Sequence, residues 1–338
     1  MPPRRRLVAA ALCYGRRGFA VNETSSQPTI ETPREWLAHR SYSADAYALE
    51  RIVELKASAA TSVSVVLPAR EVAETLGPIL DALAPLRAAG AIDELVVVDA
   101  ASQDGTAAVA EQHGASVVQE SEVMAGHGPA RGKGDALWRS LAVTRGDVVA
   151  FLDSDTENFD DRFLRGLLGP LLQEPAVAFV KGAFRRPFRL GETTVPDGGG
   201  RVTELMARPL LNLYVPQLAG FVQPLAGEFA ARRSLLVQLP FPVGYGVEIA
   251  TLIDAYRIAG LGALAQVDLG ERHNRHQSLH ALGAMAYAVA VAAERRIHGG
   301  REPALESPGP LAFPRGGELE LRHVAVEERP PLAELSGA

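Results

Sequence analysis

The sequence predicts an α/β fold, with a mostly parallel central sheet and helices on both faces. Three observations support that expectation. Short β-branched runs are each stopped by a turn residue, as in strands buried on both faces. Helical stretches alternate with those runs at the spacing of βαβ units, whose right-handed crossovers join parallel strands. The 338 residues, with 32 Gly and 23 Pro, suffice for one large domain rich in βα turns.

The alternation opens with Ser62-Val-Ser-Val-Val-Leu67, which Pro68 terminates. A helix is expected over residues 72–88, a strand over 93–98, a helix over 105–113 and a short strand over 115–119. A helix over 134–144 and a strand over 147–152 follow. The second half is less regular. It offers a strand over 176–184, a helix over 201–214, a strand over 227–231, a helix over 245–259, a strand over 263–269 and a long helix over 279–297. Residues 41–60 read as one helix, so residues 1–60 form a flexible arm with a helix. Residues 61–190 make a nucleotide-binding half and residues 191–297 an acceptor-binding half of the same domain. Residues 298–338 turn to Pro, Gly and charge, and are expected to be a tail with little fold of its own.

Composition excludes several classes. A net charge of −6 offers no broad basic field for nucleic acid. The single cysteine, Cys13, rules out an intrachain disulfide and a thiolate metal site, and fits a reducing, cytoplasmic setting. Arg4-Arg5-Arg6 followed by Leu7-Val-Ala-Ala-Ala-Leu-Cys13 imitates a signal peptide, but an apolar run of about seven residues is at the lower limit for one. No run approaches the roughly 20 apolar residues of a membrane span. Residues 279–293, interrupted by His280 and Gly283, read as a buried helix.

In an open parallel sheet, ligands bind beyond the carboxyl ends of the strands. After the first strand, Pro68-Ala69-Arg70-Glu71 either curls over a ligand or is a plain turn. After the second, Asp99 and Ser102 could offer a carboxylate and a hydroxyl to a ribose or a uracil, while Asp104 or Ser102 could cap the next helix. Gly132-Lys133-Gly134 precedes a helix, where glycines, the helix N-terminus and an ammonium favour a phosphate. The spacing is not that of the GxxxxGK[ST] phosphate loop. The alternative is a simple turn.

Phe151-Leu152-Asp153-Ser154-Asp155 is the most informative motif. Two carboxylates separated by one residue leave a hydrophobic strand on the same side, and repel each other unless a cation lies between them. Hard oxygens suit Mg²⁺ or Mn²⁺, which would bind a diphosphate and neutralise it as it leaves. A helix cap is the competing reading, although Asp160 and Asp161 can already supply it. Gly198-Gly199-Gly200-Arg201-Val202-Thr203 would form a second anion site, since an Arg in a first turn opposes the helix dipole unless it holds an anion. Glu248 opens an otherwise apolar helix. In the polar run 271–277, His273 or His276 could give the metal a third ligand.

Taken together, these motifs resemble the actinobacterial glucosyl-3-phosphoglycerate synthases, retaining GT-A (Rossmann-like) glycosyltransferases of family 81. The resemblance runs from about Ser62 to Arg296. It rests on Ser64-Val-Val-Leu-Pro-Ala69, Val98-Asp99 with Asp104-Gly-Thr106, Gly132-Lys-Gly-Asp-Ala-Leu-Trp138, and Phe151-Leu-Asp-Ser-Asp-Thr-Glu-Asn-Phe159. Gly200-Arg-Val-Thr-Glu-Leu205, Gln223-Pro-Leu-Ala-Gly-Glu228 and Gly244-Tyr-Gly-Val-Glu-Ile249 complete it.

The resemblance implies transfer of glucose from UDP-glucose to the 2-hydroxyl of 3-phosphoglycerate with Mg²⁺ (or Mn²⁺), by a homodimer. It places Pro68, Ala69, Glu71, Asp99, Ser102, Lys133, Asp153, Ser154 and Leu225 on the donor. Gly200, Arg201, Thr203, Tyr245, Glu248, Arg272 and Asn274 fall on the acceptor side. Asp155 and His276 would hold the metal, and Glu248, Asp155 and Lys133 would act in catalysis. Two departures stand out. Position 71 is Glu where the family commonly has Asn or Asp. The loop 272–276 puts Asn274 where the family's Arg-x-His-Arg-Asn-Arg pattern has its histidine, so the metal histidine becomes His276, or else His273. The alternatives are a mannosyl-3-phosphoglycerate synthase using GDP-mannose and a non-catalytic nucleotide-binding protein of the same fold. A nucleotidyltransferase would need glycines after the first strand, which Pro68-Ala69-Arg70-Glu71 lacks.

Overall fold

The computed structural model describes residue 30 and residues 32–190, 193–196, 198–274, 277–297, 308–315 and 318–335. Helix α1 (Pro33–Arg40) opens with a capping box, in which the Thr32 hydroxyl accepts from the Glu35 amide and the Glu35 carboxylate accepts from the Thr32 amide. Strand β1 (Ser41–Ser43) and helix α2 (Leu49–Ala59) follow, where the sequence suggested a single helix. The core pattern is then β2 (Val63–Ala69), α3 (Ala73–Ala88), β3 (Glu94–Asp99), α4 (Thr106–Gln112), β4 (Ser116–Gln119), α5 (Lys133–Val143), β5 (Val148–Phe151), α6 (Arg162–Gln173) and β6 (Phe179–Arg185). A hairpin of β7 (Phe188–Leu190) and β8 (Thr193–Val195) leads to a π-helical turn, Thr203–Ala207, and α7 (Arg208–Tyr214). Next come β9 (Phe229–Arg232), α8 (Arg233–Leu236), β10 (Phe241–Pro242), α9 (Val247–Ala259), β11 (Leu264–Glu271) and α10 (Leu279–Ile297). The last elements are the hairpin β12 (Leu311–Arg315) and β13 (Glu318–Arg322), then β14 (Glu328–Arg329) and α11 (Leu332–Leu335).

Eight strands form the main sheet in the order β1-β11-β6-β9-β5-β2-β3-β4. All neighbours are parallel except β9, which runs antiparallel to both β5 and β6. The pleat sends alternate residues to two cores. Val63, Val65 and Leu67 of β2 face the core under α2, α3, α4 and α6. Val66 faces the other, under α1, α5, α7, α9 and α10, where Trp36, Trp138 and Phe229 lie. Burial on both faces explains why the strands are continuous apolar runs. The crossovers from β2 run to β3 on one side and β5 lies on the other, so the chain reverses direction between β2 and β5. Open α/β sheets bind ligands at such a reversal.

Both ends depart from expectation. The described residues ahead of residue 60 join the sheet: β1 pairs with β11, and Trp36 donates from its indole to the Leu264 carbonyl at 2.7 Å. The described part of the C-terminal segment is also folded. β14 pairs with β10, the Val243 amide donates to Glu327 O, and the Trp138 indole donates to the Pro330 carbonyl at 2.8 Å. Arg329 lies over the Trp138 ring and binds Asp135 at 2.6 Å. A Pro- and charge-rich composition hid this strap, because its partners on β10 and α5 lie far away in the chain.

Candidate active site

The loops after β2, β3 and β5 meet at the chain reversal. Leu152 continues β5 by donating its amide to Val66 O, and Asp153, Ser154 and Asp155 leave the sheet there. The Ser154 hydroxyl donates to the Pro68 carbonyl at 2.8 Å, which stitches the β5 loop to the β2 loop. Ser154 is therefore buried scaffold, while its neighbours on either side turn into the cleft. One guanidinium group confirms the shared side. Arg272 Nη2 lies 2.9 Å from Asp153 Oδ2 and 2.8 Å from Asp155 Oδ1. Arg272 Nε reaches Glu228 Oε1 at 2.8 Å. The loop after β11 is held for this purpose. The His273 amide donates to Asn158 Oδ1, the Glu157 amide to His273 O, and the Asn158 amide group to Glu271 O.

Lys133 occupies the first position of α5, after Gly132. Its ammonium pairs with Asp153, and with Glu248 Oε1 at 2.8 Å. Burial alone would depress this ammonium, but Asp153 and Glu248 outweigh it and raise its affinity for the proton. Burial alone would raise the Asp153 carboxyl, yet Lys133 and Arg272 hold it far below the usual carboxylate range. Gly227 lies flat against this pair. A Cβ there would strike both Asp153 oxygens and Lys133 Nζ, so a larger residue would displace the ion pair. Gly134 is equally constrained, since its Cβ would run into the Pro242 carbonyl.

The other donor-side residues play more local parts. Asp99 is buried at the end of β3 and accepts from the Ser102 amide at 3.2 Å and the Gln119 side chain at 3.0 Å. The Glu71 amide donates to the Ser102 hydroxyl at 2.9 Å, and the Glu71 carboxylate accepts from the Gln103 amide at 2.8 Å. Glu71 has φ 52°, the left-handed region that Asn and Asp tolerate more easily than longer residues. The longer carboxylate thus serves as a tie between the β2 and β3 loops. Asp104 accepts from the Thr106 amide at 3.0 Å and from the Ala73 amide at 2.9 Å. It thereby joins the first amides of α4 and α3. Leu225 is half-buried in the loop before β9.

Gly200, Arg201 and Thr203 are the residues expected to form a second anion site. Gly200 (φ 69°) precedes Arg201, and the Thr203 residue that opens the π-turn is buried. Arg201 is held in place by the Gln277 carbonyl, to which Nη2 donates at 2.8 Å, and by the Phe188 ring, 5.2 Å from its Cζ. Arg186 was not anticipated from the sequence. It donates to Asn274 Oδ1 at 3.1 Å, and the Gly199 amide donates to its carbonyl. Burial, then Arg272, lowers the proton affinity of its guanidinium, so an anion placed beside it would be held strongly. Arg272, expected on the acceptor side, stands instead among the carboxylates. Tyr245 is exposed just before α9, and Glu248 is buried within its first turn.

His276 and Arg275 lie outside the described residues. His273 Nε2 is 3.5 Å from Glu271 Oε2. No cluster of three or more His, Cys, Asp or Glu side chains suited to a metal occurs among the described residues. The two aspartates nevertheless fit a divalent cation in their donor atoms. Asp153, Asp155, Glu228 and Glu248 form ion pairs with Lys133 and Arg272, while Arg186 and Lys181 act on the same carboxylates electrostatically. The donors are hard carboxylate oxygens, and Asp155 is exposed.

Two buried groups near this site escaped the sequence reading. Glu120 follows β4 and its carboxyl is pushed up to about 7, by burial and then by Asp135. Lys181 sits within β6, wholly buried. A lone lysine inside an otherwise apolar strand was the available signal.

Known proteins share this fold. Residues 64–220 match the family model Glycosyl transferase family 2. The glucosyl-3-phosphoglycerate synthase of Mycolicibacterium paratuberculosis is 45% identical over 257 residues, covering 75% of this chain and 77% of its own length. The crystal structure of mannosyl-3-phosphoglycerate synthase from Rubrobacter xylanophilus superposes with a TM-score of 0.79 at 48% identity, over 89% of this chain and 99% of that one. Glucosyl-3-phosphoglycerate synthase from Mycobacterium tuberculosis, solved with Mn²⁺, UDP-glucose and phosphoglyceric acid, superposes with a TM-score of 0.76 at 40% identity, over 86% and 95%.

Proposed function

This chain belongs to the glucosyl-3-phosphoglycerate synthase family, and from that premise we propose that it transfers glucose from UDP-glucose to the 2-hydroxyl of 3-phosphoglycerate with retention. It is a metal-dependent glycosyltransferase. The observation that supports this reading best is the meeting of Asp153 and Asp155 at the end of β5 with Lys133 at the N-terminus of α5. Acids for a cation and a cation for a diphosphate stand side by side there.

Asp155, with His276 as the expected partner, would hold Mg²⁺ or Mn²⁺, which supplies charge neutralisation to the departing diphosphate. Lys133 and the backbone amides at the start of α5 share the charge of the pyrophosphate. Gly200, Arg201 and Thr203 hold the acceptor phosphate, with Arg186 and Asn274 adjoining them. Glu248 orients the acceptor or the sugar and forms no covalent bond. The acceptor hydroxyl oxygen bonds to the anomeric carbon as the bond from that carbon to the UDP oxygen breaks. Attack on the face that UDP leaves retains configuration, and the hydroxyl proton passes to the departing phosphate. Such a site works by positioning and electrostatics. Tyr245 and Leu225 border the sugar. Pro68, Ala69, Glu71, Asp99 and Ser102 build the nucleotide wall.

The test is a UDP-release assay on the full chain with 3-phosphoglycerate, with and without EDTA. Release that requires the acceptor, stops with excess EDTA and returns with Mn²⁺ is expected. Equal release in EDTA would overturn the reading. A GDP-mannose arm is included because the Rubrobacter xylanophilus mannosyl-3-phosphoglycerate synthase is 48% identical, against 40% for the solved glucosyl enzyme. Turnover with GDP-mannose alone would transfer the assignment to the mannosyl donor.

The finer proposals are a homodimer and a cytoplasmic setting. Leu205 on the π-turn, Leu213 and Tyr214 on α7, and Leu279 at the start of α10 are exposed, on elements that lie together. Sedimentation velocity measures the mass. The lone cysteine agrees with a reducing compartment, and no described helix is long and apolar enough to cross a membrane.

A further inference from the structure

Lys181 points into the core beneath the catalytic cleft. It lies on β6, directly across from Phe229 of β9, and has no exposed surface. Its ammonium has no hydrogen-bond partner. It rests over the rings of Phe229 and Phe179, 5.2 and 5.7 Å from their centroids. Cation–π contact offsets only part of the cost of burying an ammonium. Glu248 on α9 attracts it most strongly. Lys133 on α5 repels it, and Glu228 and Asp153 attract it more weakly.

The ion pairs explain what such a group can do. Among the described residues, Lys133 is the one cation that an ion pair joins to Glu248. The pyrophosphate of a sugar nucleotide draws Lys133 towards itself, and Glu248 then loses that partner. A buried carboxylate stripped of its partner is strongly disfavoured. Resting on the glycosyl-transfer reading above, we propose that Lys181 is a positioning residue, a reserve cation that holds Glu248 in place when Lys133 turns to the donor.

The proposal is tested with Lys181→Met in the full chain. The kcat with UDP-glucose and 3-phosphoglycerate is expected to fall about 10- to 100-fold, with the UDP-glucose KM changed less than about threefold. Introduced into Glu248→Gln, the same substitution is expected to cause no further loss, because the residue it serves is already neutral. Lys181→Arg, which keeps the charge, should recover most of the rate. A wild-type kcat in Lys181→Met, or losses that multiply in the double variant, would overturn the proposal. If methionine prevents a cooperative melt, Lys181→Arg decides: a folded protein with the full Lys181→Met-sized loss of kcat overturns it, and near-normal turnover supports it.

One readout needs no substrate. Burial pushes the Lys181 ammonium down to about 8 from 10.5. The unfolded chain therefore binds the extra proton between those values, so stability rises with pH across that window. The melting temperature of the ligand-free protein should climb from pH 8 to 10, and the climb should flatten in Lys181→Met. If the wild-type chain shows that slope but no turnover with either donor, the functional reading fails while the buried cation stands.

Discussion

Arg272→Met is expected to lower the stability of the protein by about 3–5 kcal/mol, the usual result of removing one partner from a buried ion pair. Arg272 is almost wholly buried, and it contacts Asp153, Asp155 and Glu228 within 2.9 Å. Burial already raises the Glu228 carboxyl, against the pull of Arg272. Without the guanidinium, Glu228 should take up a proton, and the two aspartates should repel each other. Chemical denaturation at pH 7 measures the loss. Added Mn²⁺ should restore part of it, since a cation at Asp155 relieves the same repulsion. A variant as stable as the wild type, or one indifferent to Mn²⁺, would contradict the view that this cluster is built to accept positive charge.

The second large effect is expected at Arg201. Its guanidinium is pre-positioned by the Gln277 carbonyl and the Phe188 ring, and it opens onto the Gly200 turn. Hydrogen bonds to charged groups are worth about 1.5–3 kcal/mol each. Loss of a bidentate contact with the acceptor phosphate should therefore raise the 3-phosphoglycerate KM about 100-fold in Arg201→Ala. Slow hydrolysis of UDP-glucose should persist, because the donor side is intact. Arg201→Lys should recover the acceptor only in part, since an ammonium lacks the planar fork. Parallel loss of transfer and hydrolysis would show that Arg201 acts on the donor or on the fold.

Much of this was legible in the sequence, for identifiable reasons. The β2 to β6 pattern could be read because strands buried on both faces must be apolar throughout, and α3 to α6 because they join them. Asp153 and Asp155 could be read because two acids at a strand end have few structural uses. What stayed hidden depends on distant partners. Arg272 was expected on the acceptor side, and its place among Asp153, Asp155 and Glu228 depends on the docking of Asn158 on Glu271 and His273. Ser41, Tyr42 and Ser43 looked helical beside α2, yet pairing with β11 makes them a strand. Glu71 looked like a defect in the nucleotide wall, and its amide and carboxylate instead tie two loops together. Lys181 falls inside the strand expected over 176–184 and Arg186 just beyond its end, and neither belongs to a motif of its own.

The strap formed by residues 328–335 has a temporal implication. Asp135 is wholly buried in the first turn of α5, two residues from Lys133, and is neutralised by Arg139 from its own helix and by Arg329 from β14. During synthesis, the helix that presents Lys133 emerges long before its second counter-charge does. The first turn of α5 thus gains its second guanidinium only after residue 329 has been made.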